Sequence, residues 1–136
     1  MDRLNIARQK QQSGYNCAQA VACAYSDLFC VDEKTAFRVS EGFGGGMGCM
    51  ETCGAVTAMV MIAGMKVSDG NMTAPKTKRI TCNHAKEMIS AFREKNGSII
   101  CSELKGITTG VPLRSCIGCV EDAVSIIDAL LINDSE

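Results

Sequence analysis

The sequence predicts an all-α protein: a single-domain bundle of about six to seven helices with a Gly-rich loop. Three observations lead there. Hydrophobic residues make up 46% of the 136 residues, yet only 4% are aromatic and Trp is absent. The core must therefore be built from Ala, Val, Ile, Leu, Met and Cys, a mix that favours close-packed helices over sheets. Helix caps and glycine stops recur along the chain at helical distances. No stretch alternates apolar and polar residues for long enough to make a strand, and Ser98-Ile99-Ile100-Cys101 is the one short candidate.

The elements follow in order. Residues 2–12 carry Leu4, Ile6 and Ala7 among charges, an amphipathic helix ended by Ser13-Gly14. Asn16 is a good N-cap for a helix over 17–29, and Asp32 caps a third over 33–41. The glycine-rich loop Gly42-Phe43-Gly44-Gly45-Gly46-Met47-Gly48 comes next. A fourth helix spans 53–65 with Thr52 as N-cap, and residues 67–73 form a loop around Asp69-Gly70. Pro75 suits the first turn of a fifth helix that runs to Lys95 and stops at Asn96-Gly97. A short helical turn over 102–105 follows Cys101 and closes at Gly106. Val120, Val124, Ile127 and Leu130-Leu131 recur at helical spacing in a last helix over 116–132. The length suits one core, and no linker or repeat interrupts it, so one domain over 1–136 is expected.

Composition excludes several classes. The net charge is −1, from 14 basic and 15 acidic residues, and no charge block suits nucleic acid or an anionic membrane. The N-terminus is polar, unlike a signal peptide. The most apolar stretch, residues 55–65, is too short to cross a bilayer. A cytoplasmic protein without membrane insertion is expected. Its partner is an unknown redox protein, with a homodimer as an open alternative.

Nine cysteines stand out in a chain of this size. The count is odd and the cytoplasm keeps thiols reduced, so metal ligation or redox chemistry explains a subset better than disulfides do. Four share one setting. Cys17 follows the N-cap Asn16, Cys53 opens the helix behind the glycine loop, Cys101 opens the short turn, and Cys116 opens the last helix. A helix N-terminus offers unpaired N–H groups and partial positive charge, which stabilise a thiolate. The thiolate is the form that ligates metals and attacks disulfides. These four are expected to meet.

The glycine loop lacks a preceding strand and the Gly-Lys-Ser/Thr ending of a phosphate loop, which argues against a nucleotide site. Its role is steric. Gly44, Gly45 and Gly46 let the backbone approach a cofactor closely, and the loop is expected to bring Cys49 and Cys53 to an inner wall. Cys116 and Cys119 form C-x-x-C, but Val120 stands where a c-type haem needs His, and no βαβ pattern supports a thioredoxin fold. Three apart, they lie on neighbouring parts of one helix face and could pair or chelate one metal. Cys82 and His84 point apart on a helix, so His84 reads as a surface residue. Cys23, Cys30, Met59, Met61 and Met65 read as core packing. A single His and no Ser-His-Asp arrangement argue against a hydrolase.

Several stretches together resemble the C-GCAxxG-C-C family of redox-active proteins. They are Gly14-Tyr15-Asn16-Cys17-Ala18-Gln19-Ala20-Val21, then Phe43-Gly44-Gly45-Gly46-Met47-Gly48 leading to Cys53-Gly54-Ala55-Val56-Thr57. After these come residues 97–106 around Cys101, and Cys116 with Val120-Glu121-Asp122-Ala123. The resemblance implies that Cys17, Cys53, Cys101 and Cys116 are the family cysteines, and leaves Cys49 and Cys119 outside the set. Ala58 stands where the family motif has glycine. Related domains are associated with electron-transfer proteins, which the resemblance extends toward a cluster.

Three functional readings result. The first is electron transfer by an iron–sulfur cluster or other thiolate-bound metal held by Cys17, Cys53, Cys101 and Cys116, with the glycine loop donating N–H groups to cluster sulfurs. The second is a metal-free thiol–disulfide redox protein, with Cys53 the first choice of attacking thiolate and Cys17 the second catalytic candidate. The third is a non-enzymatic helical binding protein.

Overall fold

The computed structural model describes residues 2–132 and builds them into seven α-helices: α1 (Arg3–Gln12), α2 (Cys17–Ala24), α3 (Glu33–Glu41), α4 (Gly54–Val67), α5 (Lys78–Asn96), α6 (Cys101–Lys105) and α7 (Cys116–Ile127). Among the described residues there is no sheet, only an isolated antiparallel bridge between Thr52 and Ile100. The all-α expectation holds, and the strand candidate at residues 98–101 contributes only this bridge.

The centre of the bundle is α2, where Ala18, Gln19, Ala20, Val21, Ala22, Cys23 and Ala24 are all buried. A helix apolar on every side belongs in the middle, and α2 packs against α1, α3, α4 and α7. Its alanines let those neighbours come close. The N-terminus is held by a capping box: Asn16 Oδ1 accepts from Gln19 N at 2.9 Å, while Gln19 Oε1 accepts from Asn16 N at 3.0 Å. The helix ends sooner than expected, since a tight 3₁₀ turn over Ser26–Phe29 replaces its last turn. Larger side chains fill the space around it. Tyr25, Met59, Met88 and Phe92 are fully buried, each contributing about 1.5–3 kcal/mol of apolar burial.

Three other boundaries move. Cys53, not Thr52, is the N-cap residue of α4. α5 begins at Lys78, leaving Pro75 in the preceding loop. Beyond Ile127, α7 widens into a looser turn over Asp128–Ile132. α7 is anchored by buried Asp122, 2% exposed. Its carboxylate accepts from Lys95 Nζ at 2.6 Å, Asn96 Nδ2 at 3.1 Å and Arg114 Nε at 3.0 Å. Four charge-assisted and neutral hydrogen bonds, counting Arg114 Nη2 at 3.2 Å, satisfy the buried charge and lock α7 to the end of α5.

Candidate functional site

Local backbone geometry decides which thiols meet. α2 and α4 touch at their N-terminal ends through Gly54, where a Cβ would lie 2.8 Å from Phe43 O, 3.2 Å from Ala18 N and 3.3 Å from Ala18 Cβ. Nothing larger than hydrogen fits, so Cys53 comes beside Cys17. A short backbone ladder does the same for Cys101. Cys53 N donates to Ile99 O at 2.8 Å, and Cys101 N donates to Glu51 O at 2.6 Å. The glycine loop presses on the other side. Gly46 adopts φ +63°, and a Cβ there would lie 2.8 Å from Cys101 Cβ.

The result is a cavity of about 210 Å³ bordered by Cys17, Cys53, Cys101, Cys116 and Cys119, with Gly45, Gly46, Gln11, Lys105 and Arg114 at its walls. All four cysteines picked by their helix starts border it. So does Cys119, one turn into α7. Gly45 and Gly46 line the cavity, whereas Gly44 backs onto Asn16, where a Cβ would lie 2.3 Å from Cγ. Cys49 is exposed and its Sγ donates to Gly46 O at 3.6 Å. It does not share the inner wall, because the loop turns left-handed at Met47 and Gly48 just before it. Of the remaining thiols, Cys23 is buried in α2, and Cys30 and Cys82 are exposed away from the cavity. Met59 is core, while Met65 is largely exposed.

The thiols are electrostatically unlike one another. Cys53 is lowered to about 7, first by a hydrogen bond from the Cys119 thiol, against the effect of burial, and then by the Ala55 and Val56 amides and the charge of Lys105. Cys119 is correspondingly raised, since its proton is held by the Cys53 sulfur and by burial. Burial, then the proximity of Cys116 and Cys53, pushes Cys17 up to about 12. Burial raises Cys101 as well. The expected thiolate setting therefore holds at Cys53 and reverses at Cys17 and Cys101. At Cys53 the Cys119 thiol tips the balance against burial, whereas at Cys17 and Cys101 burial is the leading cause and outweighs the helix dipole.

Two thiol pairs influence each other's ionisation most, Cys53 with Cys119 and Cys17 with Cys116. Gln11 Nε2 donates to Cys17 Sγ at 3.4 Å. Cys119 is the residue that the sequence pattern demoted. Its signal was present in the C-x-x-C spacing, which puts Cys116 and Cys119 on adjoining parts of one α7 face. Among the described residues, no three His, Cys, Asp or Glu side chains are disposed to hold a single metal ion.

The chain is thus a cysteine-rich helical fold that gathers five thiols on one cavity. A family model described as "Putative redox-active protein (C_GCAxxG_C_C)" matches residues 15–130, and the chain belongs to that family. No curated protein and no solved structure matches the chain. No helix among the described residues is long and apolar enough to cross a membrane.

Proposed function

We propose that the protein is a thiol–disulfide redox protein in which Cys53 is the attacking thiolate and Cys119 the resolving thiol. The carrying observation is that Cys53 and Cys119 line one cavity, where the Cys119 thiol is the first cause that favours the Cys53 thiolate and lowers it to about 7. A thiolate near ambient pH combines availability with nucleophilicity.

The Cys53 thiolate attacks one sulfur of a substrate disulfide, forms a mixed disulfide and releases the other sulfur as thiolate. With the negative charge on Cys53 gone, the interaction that held the Cys119 proton disappears. Cys119 gives that proton to the released thiolate and attacks Cys53. A disulfide between Cys53 and Cys119 forms, the second substrate sulfur leaves, and two electrons have passed to the substrate.

The same cavity also sustains the cluster reading, because Cys17, Cys53, Cys101 and Cys116 all border it. The donor set suits that reading less well. No three His, Cys, Asp or Glu among the described residues are disposed around a metal ion. We therefore derive no step through a metal.

Anaerobic purification followed by a visible spectrum, metal analysis and disulfide mapping separates the two. Metal-free protein that forms a disulfide between Cys53 and Cys119 on mild oxidation supports the dithiol. Brown protein with stoichiometric iron, lost in Cys101→Ser, overturns it in favour of a cluster.

A further inference from the structure

Cys53 is 5% exposed and Cys119 2%, both lining a cavity too narrow for a folded substrate. That cavity falls below the usual size of drug-sized pockets, roughly 300 Å³ and upward. A disulfide carried by another protein cannot reach them. Cys116 can be reached, because it is exposed at the first turn of α7. Half-buried Cys17 is intermediate in exposure and lines the same cavity as Cys116 and Cys53. Exposure thus falls in steps from Cys116 through Cys17 to Cys53 and Cys119 around one cavity.

We propose that Cys116 and Cys17 form a second, outer dithiol that reacts with disulfide-bearing proteins at the surface and passes the oxidation inward to Cys53 and Cys119. The inference rests on the dithiol reading of the inner pair.

The steps are ordinary exchanges. Cys116, as its thiolate, attacks the partner's disulfide and releases one partner thiolate. Cys17 gives its proton to that thiolate and attacks the Cys116 sulfur. A disulfide between Cys17 and Cys116 forms as the second partner thiolate leaves. The Cys53 thiolate then attacks Cys17. That direction is favoured because the sulfur expelled is Cys116, which leaves into water, whereas attack on Cys116 would expel a thiolate from the half-buried Cys17 site. Finally Cys119 attacks Cys53 and releases Cys17, which takes up the Cys119 proton. Gln11 Nε2, 3.4 Å from Cys17 Sγ, is placed to donate to Cys17 while it carries charge. The net change is one partner disulfide reduced and one inner disulfide formed. A dithiol reductant returns the protein to its starting state.

Insulin serves as the bulky protein disulfide and cystamine as the slender one. The Cys17→Ser variant is expected to trap a mixed disulfide between Cys116 and an insulin chain, found by mass spectrometry. With insulin, Cys53→Ser is expected to stop at a disulfide between Cys17 and Cys116, while wild-type protein ends with one between Cys53 and Cys119. Insulin reduction by Cys116→Ser is expected to fall about tenfold or more. Absence of the trapped species, or undiminished insulin reduction by Cys116→Ser, overturns the relay. Cystamine reports on the inner pair by itself. If wild-type protein reduces cystamine without forming the disulfide between Cys53 and Cys119, the inner reading fails. If that disulfide forms with cystamine but insulin is never captured on Cys116, only the relay fails.

Discussion

Replacing Cys119 with Ala tests the site most directly, because it removes one hydrogen bond and leaves Cys53 in place. Cys53 sits at about 7 instead of its ordinary 9, and the Cys119 thiol is the largest cause. Two units correspond to about 2.7 kcal/mol in favour of the thiolate. A hydrogen bond to a charged group contributes roughly 1.5–3 kcal/mol. At the lower end, its loss raises Cys53 by about one unit. The ionised fraction at pH 7 then drops from about half to about a tenth, roughly a fivefold change. Iodoacetamide is small enough for the cavity, and peptide mass spectrometry isolates Cys53 from the other eight thiols. The alkylation rate plotted against pH should show its midpoint near 7 in wild-type protein and near 8 or higher in Cys119→Ala. An unchanged midpoint would refute the assignment of Cys119 as the donor.

Other outcomes follow from the same geometry. Cys53 titrates lower when folded than when unfolded, so its ionisation stabilises the fold only as pH rises from about 7 toward 9. Urea melts should therefore show Cys53→Ser losing more relative to wild type at pH 9 than at pH 6, and an equal loss at both would contradict this. Gly54→Ala puts a methyl group 2.8 Å from Phe43 O, and should cost about 1–3 kcal/mol in melts while parting Cys17 from Cys53. Burial by itself would raise Asp122, but hydrogen bonds from Lys95, Arg114 and Asn96 outweigh it and hold the carboxyl low. Its stabilisation should persist above the ordinary carboxylate range and be lost as pH falls through the lowered value. Asp122→Asn should cost about 1.5–3 kcal/mol near neutrality, read by thermal denaturation, since Lys95, Arg114 and Asn96 lose the buried carboxylate they donate to. Asn16→Ala should cost about 1 kcal/mol in the same assay through the lost cap of α2.

Much of this molecule is legible along the chain. Asn16, Asp32 and Gly97 mark helix ends because a cap is a contact between neighbours in sequence. The bounds of α3 match their expectation at both ends for the same reason. Pro75 misleads by three residues, since its ring suits the loop before Lys78 equally well. The four helix-start cysteines could also be read locally, and each does border the cavity.

The helical fold and a shortlist of thiols can be read along the chain, because capping, spacing and apolar content are properties of short windows. Which sulfur ionises was decided only in three dimensions. Cys17 and Cys53 look alike in sequence, yet burial pushes one up while a thiol from α7 pulls the other down. Cys119 enters for the same reason. Its importance comes from facing Cys53 across more than sixty residues of chain, and no local pattern encodes who stands opposite.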